Sequence, residues 1–261
     1  RAIVSRTDDS DVDFNQIAID SAGPELIAGL TAFDNHELHT EACWYVSNLC
    51  YSTEPGINAL IQSGIIETLF QCLQHTPDNA LSLIIQALGN IAGTSPYCRD
   101  LLINNDIIQK LKQLNPRQQQ SSLEILQMIS WCIVNLVRDE PLPSVDTLME
   151  LFELLPTLLF MDDQEVLFNS SCVVSELAEI GELHDVMIRS GVIGRMVQLL
   201  GHSCHKIQYR SLQTCGGVAA GNDAMKQVLL NAGVLKLIEP FTRSGHEKMK
   251  HKALWVIMNI A

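Results

Sequence analysis

Six segments of this 261-residue sequence align on one another: "EACWYVSNLCYST", "LIIQALGNIAGTS", "MISWCIVNLVRDE", "SSCVVSELAEIGE", "SLQTCGGVAAGND" and "KALWVIMNIA". One column of the alignment reads Asn48, Asn90, Asn135, Glu176, Gly217 and Asn259, at intervals of 42, 45, 41, 41 and 42 residues. The longest interval holds the insertion "LNPRQQQSS", which reads as a flexible connection between helices. A second element recurs about 16 residues after most of these positions, as "IQSGIIETLFQCL", "INNDIIQKLKQL", "IRSGVIGRMVQLL" and "LNAGVLKLIEPF". The opening "IDSAGPELIAGL" matches it too.

Self-similarity at a fixed period decides architecture before any local signal does. Each unit reads as an apolar helix ending near the Asn column, a loop with Gly or Asn, and a further apolar helix. No segment alternates apolar and polar residues between Gly turns, as propeller blades would. The glycines of Ser63-Gly64, Ser190-Gly191 and Ala232-Gly233 suit tight turns between short helices. A helical period of about 40 to 47 residues means HEAT or armadillo repeats. The expected fold is therefore all-α, a superhelical solenoid of HEAT or armadillo repeats whose third helices line a concave groove. Five full repeats and most of a sixth are expected in a single domain, at 1–54, 55–96, 97–141, 142–182, 183–223 and 224–261.

Apolar residues make up 47% of the chain, ample for burial. No apolar run reaches the length of a membrane span. The opening "RAIVSRTDDSDVDF" lacks the apolar core of a signal peptide. With no starting Met and an end inside an apolar helix, the sequence reads as a fragment of a longer protein. Eight cysteines with no C-x-x-C spacing fit reduced, buried thiols of a cytosolic or nuclear protein. The net charge is −13 and unevenly spread. Residues 1–100 hold 13 Asp/Glu against three Arg and no Lys, whereas residues 201–261 hold three acids against eight Lys/Arg. Such an acidic stretch repels nucleic acid and anionic lipid and would attract basic partners; the alternative is that it only keeps the protein soluble.

Three repeats write Trp-x-x-x-Asn: Trp44 with Asn48, Trp131 with Asn135, and Trp255 with Asn259. Residues four apart share one face of a helix. An amide offers both donors and an acceptor, so it can bond the N–H and the C=O of an extended backbone laid across it. Indole walls form slots in which the stem of a Lys or Arg packs and its cation meets a ring face. The alternative, that the Trps are core and the Asns cap helix ends, is weakened by recurrence, because a core position has no evident reason to keep an amide. The expectation is that Asn48, Asn90 and Asn135 point into an open groove.

The sequence resembles the armadillo domain of importin-alpha, the adaptor for cargo with basic nuclear-localisation signals. The residues that carry the resemblance are "EACWYVSNL", "ALGNIAGTS…CRDLLI", "SWCIVNLVRDEPLP", "LPTLLFMDDQEVL", "GVIGRMVQLLG" and "WVIMNIA". By register, the six repeats correspond to the second through seventh of that family's ten. The resemblance implies an all-α, right-handed superhelical solenoid of armadillo repeats, and an adaptor of the cytoplasm and nucleus whose groove binds basic cargo peptides without a cofactor. From the charge, the apolar runs and the ligand spacing, no nucleic acid, membrane or metal is expected either. It implies a major peptide site at Trp44, Asn48, Asn90, Trp131 and Asn135, and a weaker minor site at Glu176, Glu179, Trp255 and Asn259. It also implies importin-beta as a partner, through a segment absent from this chain.

Several positions depart from the family pattern. Gln86 stands in the second repeat's Trp slot, and Thr94 where an Asp usually receives the most critical lysine. Ser52 and Ile57 replace a Gly and a Thr of the same pocket. The fourth repeat has Cys172 for Trp, Glu176 for Tyr and Asn169 for an Asp, while Glu179 keeps an acid. The fifth has Gln213 and Gly217, which removes its ladder step. Lys252 stands three residues before Trp255, where an acid is usual, and reverses the field there. The reading is a divergent importin-alpha with altered signal preference; the rival is a general armadillo interaction scaffold that lost signal reading.

Nothing points to catalysis: there is no Ser-His-Asp order, no P-loop and no G-x-G-x-x-G after a strand. His202, Cys204 and His205 in "GHSCHK" lie too close together for a metal site and read as a solvated loop. "MDDQEV" reads as a loop leading into a helix start.

Overall fold

The computed structural model describes residues 29–31, 34–114 and 122–261. The opening element and nearly all of the Gln-rich insertion lie outside the described residues. Every regular element among the described residues is helical. The chain divides into two compact units, between Pro141 and Leu142.

The first unit contains α1 (His36–Leu49), α2 (Glu54–Gln62), α3 (Ile65–His75), α4 (Asp78–Ala92), α5 (Pro96–Asn104), α6 (Ile107–Gln113) and α7 (Leu123–Leu136). The long helices α1, α4 and α7 carry the first three Asn-column positions, and α4 packs side by side with both others. Ile84, Ile85, Leu88 and Ile91 of α4 are fully buried, together with Leu69 of α3 and Leu102 of α5. Such a helix cannot bury its apolar face within its own repeat, so the neighbouring repeat completes its core.

The second unit contains α8 (Val145–Phe152), α9 (Leu155–Leu159), α10 (Gln164–Leu177), a 3-10 turn (Gly181–Leu183), α11 (His184–Arg189), α12 (Val192–Leu199), α13 (His205–Ala219), α14 (Asp223–Asn231), α15 (Val234–Thr242) and α16 (Glu247–Ile260). Here α10, α13 and α16 carry the column, and α13 packs against both. Phe152, Val173, Val174, Met196, Leu212 and Val218 are fully buried.

Local chemistry sets the helix starts. Proline stands in the first turn of α2, α5 and α9, where its missing N–H costs nothing. Asn35, Ser122 and Asp163 accept from backbone N–H groups of α1, α7 and α10. The Asp163 cap makes "MDDQEV" a helix start. Gly64, Gly191 and Gly233 take φ of 83°, 74° and 78°, the left-handed conformation the sequence calls for at these turns. The aligned position in "INNDIIQ" is Asp106, which adopts φ of 64° without being glycine.

All eight cysteines are free and all but Cys204 are buried. Burial pushes the thiols of Cys43, Cys50, Cys132 and Cys215 up to about 12. They act as small apolar residues. No helix among the described residues is long and apolar enough to cross a membrane.

Candidate functional site

The Trp residues sit on the long helices, and their surroundings explain where they occur. Trp44 on α1 is 48% exposed and meets Tyr45 edge-on, with ring centroids 6.4 Å apart. Trp131 and Trp255 are half-buried, each lying against a glycine of the preceding long helix. A methyl group built on Gly89 would come 2.8 Å from Cε3 of Trp131 and closer still to Cζ3. One built on Gly216 would come 2.8 Å from Cη2 of Trp255 and closer to two other ring atoms. Both glycines directly precede the Asn column. Gln86, Cys172 and Gln213, which replace Trp, follow repeats with Ser47, Val134 and Ser175 at that place. The indoles of Trp131 and Trp255 thus sit on a position without a Cβ, supplied one repeat earlier. Sequence reasoning missed this pairing, although the "GN" of "ALGNIAG" and the "GG" of "TCGGVAA" carry the signal.

The amides make two kinds of bond. Asn90 donates to the Ser47 carbonyl at 3.1 Å, and Asn259 to the Gly216 carbonyl at 3.3 Å. Each bond reaches from one long helix to the preceding one, at the residue before the Asn column. Asn48 and Asn135 instead donate back along their own helices, to Trp44 O at 2.9 Å and Trp131 O at 3.4 Å. An amide in this column therefore has a reason within the fold: in two repeats it staples neighbouring helices. A primary amide has a second N–H and a carbonyl oxygen beyond that bond.

Asn48, Asn90 and Asn259 are partly exposed, but Asn135 departs from the expectation of an open groove. It is only 5% exposed, with its Oδ1 against Gly93, where a methyl group would come 2.9 Å from it. The departures from the family pattern are folded into the chain. Thr94 donates to the Asn90 carbonyl at 2.9 Å, capping the end of α4. Ile57 is fully buried core.

In the second unit, Glu176 and Glu179 are exposed. Glu176 receives Arg210 at 3.1 Å, and that guanidinium also reaches Gln213 at 3.1 Å. The Glu179 stem covers Gly217, where a methyl group would come 3.2 Å from its Cγ, so the missing ladder step is filled from the neighbouring repeat. Lys252 Nζ stands 4.5 Å over the Trp255 ring. The chain's own lysine thus meets this ring in a cation–π contact. His202 Nδ1 accepts from the Cys204 N–H at 3.0 Å, which turns the ring into its own loop.

No family model matches the chain. It is 30% identical over 240 residues to importin subunit alpha-1a of Oryza sativa subsp. japonica, covering 91% of this chain and 45% of that protein. It is 29% identical over 235 residues to importin subunit alpha-1b of the same plant, covering 89% of this chain and 43% of the other. Importin subunit alpha-3 of Arabidopsis thaliana is 28% identical over 243 residues, covering 92% of this chain and 45% of that one. The chain thus spans less than half the length of these curated relatives. Among solved structures, computationally designed armadillo repeat proteins for modular peptide recognition superpose with a TM-score of 0.81 at 21% identity, over 90% of this chain and 98% of theirs. A designed armadillo repeat protein in complex with the peptide (KR)4 gives 0.79 at 20% identity, over 91% and 99%. At that identity, the likeness carries the armadillo fold.

Proposed function

We propose, from the premise that the chain is a divergent importin-alpha-like armadillo-repeat protein, that it is a non-enzymatic adaptor for extended basic peptides of the nuclear-localisation type. It would work between cytoplasm and nucleus, with importin-beta engaged by sequence outside these residues. The observation that carries the reading is Trp44, a large indole 48% exposed with Asn48 one turn further along the same helix. Leaving an indole half in water forgoes several kcal/mol of burial at about 25 cal/mol per Å². A Lys or Arg stem lying along it recovers part of that.

In this reading Trp44, Asn48, Asn90 and Trp131 meet the peptide, and Asn135 positions Trp131 from behind. The second unit's Glu176, Glu179, Trp255 and Asn259 contribute less. Arg210 already takes Glu176, and Lys252 already occupies the Trp255 ring. A second reading, a general interaction scaffold, is favoured by Thr94 and Ile57, which put a helix cap and a core residue where the family reads its critical lysine.

The test is fluorescence anisotropy with a labelled Lys/Arg-rich signal peptide over a range of salt, with Trp44→Ala/Trp131→Ala as the variant. Micromolar or tighter binding, weakened about tenfold or more by the variant, is expected. Weak binding that salt abolishes and the variant leaves unchanged would reduce the interaction to the diffuse acidic field and favour the scaffold.

A further inference from the structure

The face that carries the Trp and Asn positions changes sign along the sequence. Eleven residues before the Asn column stand Glu37, Glu124 and Glu165 in the first, third and fourth repeats, but Lys206 and Lys248 in the fifth and sixth. Seven residues before it, Glu41 in the first repeat gives way to Arg210 and Lys252 in the last two. These spacings share one helix face with the column itself.

Within the second unit this face forms a cleft of about 780 Å³ between the N-terminal halves of the long helices. Lys206, Arg210 and Lys248 line it, with His205 and His246, whose rings lie 5.5 Å apart. Phe168, Tyr209 and Met249 supply apolar and aromatic wall. Two acids oppose the cations: Glu176 pairs with Arg210, and Glu247 lies within 3.7 Å of His251.

The helix positions of two of these cations are unfavourable for the protein alone, although Lys206 Nζ also meets the Phe168 ring at 5.8 Å. Lys206 and Lys248 are the second residues of α13 and α16, in the first turn, where the helix dipole disfavours positive charge. Each has a second cation four residues on, a repulsive spacing on a helix. Packing α13 against α16 then brings Lys206, Arg210 and Lys248 to one cleft. Neither helix has a side-chain cap on its N-terminal N–H groups, whereas Asn35, Ser122 and Asp163 cap α1, α7 and α10. Uncapped N–H groups, three cations of which only Arg210 has a carboxylate at 3.1 Å, and an aromatic wall suit one ligand chemistry: carboxylates on an extended chain that also carries apolar side chains.

We infer that the cleft between α13 and α16 is a docking site for an acidic, Asp/Glu-rich protein segment, opposite in charge to the peptide proposed for the first unit. A protein partner fits better than nucleic acid, because a chain of net charge −13 repels a continuous phosphate backbone while a short acidic segment meets only the local cations. The inference does not rest on the basic-signal reading.

The experiment is anisotropy at low and moderate salt with a labelled Asp/Glu-rich peptide containing Phe, using the whole chain. Lys206→Glu/Lys248→Glu should weaken binding by about tenfold or more. Lys206→Gln/Lys248→Gln should lie between that variant and the unaltered chain, and Glu37→Gln/Glu41→Gln should bind as the unaltered chain does. Circular dichroism melting checks that each variant is folded. Failure of the peptide to bind at low salt would overturn the inference, as would indifference to the Lys206/Lys248 substitutions in a folded variant. Equal or tighter binding of a labelled oligo-dT with the same sensitivity would also overturn it, in favour of a phosphate ligand.

Discussion

Gly89→Ala separates a glycine kept for helix geometry from one kept for a neighbour. In the interior of an isolated helix this change stabilises by about 1 kcal/mol, since alanine is the best helix former and glycine among the worst. Gly89 lies inside α4, so propensity alone predicts a gain. The structure predicts a loss. The added methyl comes 2.8 Å from Trp131 Cε3 and closer to Cζ3, while the nearest backbone atom, Cys132 Cα, is at an ordinary 3.4 Å. The indole must therefore move rather than the helix, and overpacking of this kind costs about 1–3 kcal/mol. Set against the propensity gain, the net effect is a destabilisation of up to about 2 kcal/mol. In a Trp131→Ala background the seat is empty, and the same substitution should stabilise by up to about 1 kcal/mol. The double-mutant cycle in urea unfolding, followed by circular dichroism, should thus show a change of sign and a coupling of about 1–3 kcal/mol. An equal stabilisation in both backgrounds would refute the argument that the glycine is there for the indole.

Further outcomes follow from the same geometry. Asp106→Gly should stabilise by about 1 kcal/mol, because the left-handed backbone there costs an L-residue that much, and thermal melting would reveal it. Arg99→Ala should destabilise by about 2–4 kcal/mol in urea titration, since the 2% exposed guanidinium donates to the Asp139 carbonyl at 2.7 Å and to Asp100 at 2.9 Å. In the folded protein, a thiol reagent should modify Cys204 well before the other seven, which react only on unfolding. Thiols that ionise ordinarily near 9.0 but are held up to about 12 in the fold stay protonated while the unfolded chain loses its protons. Their contribution is therefore fully present below pH 9 and declines as pH rises toward 12, which equilibrium unfolding at alkaline pH would register.

Much of the fold is legible in the sequence because helical repeats state their period openly. The Asn column and the glycines at 64, 191 and 233 mark the long helices and the turns before the second ones. The candidate site is less legible, since one residue type can serve two ends. An amide suited to grip a peptide backbone is equally suited to grip the preceding helix, and only geometry distinguishes Asn48 from the 5% exposed Asn135. The glycine seats escape a single-repeat reading because each belongs to a different repeat from the indole it serves. Asp106 shows the limit from the other side: the turn persists although the residue favouring it is gone, because the flanking helices fix the backbone.

The staples from Asn90 to Ser47 and from Asn259 to Gly216 have a consequence for cooperativity. In a repeat protein, stability is approximately a sum of intrinsic terms and nearest-neighbour couplings, as in a one-dimensional spin chain. An amide bonded across the junction belongs to the coupling term. The junctions α1–α4 and α13–α16 should therefore open as joined pairs, with correlated hydrogen exchange across each. At the junction α10–α13, where the column holds glycine, the half-exposed Arg210–Glu176 ion pair stands in for the amide; being exposed to solvent it couples the helices less, and exchange there should be less correlated.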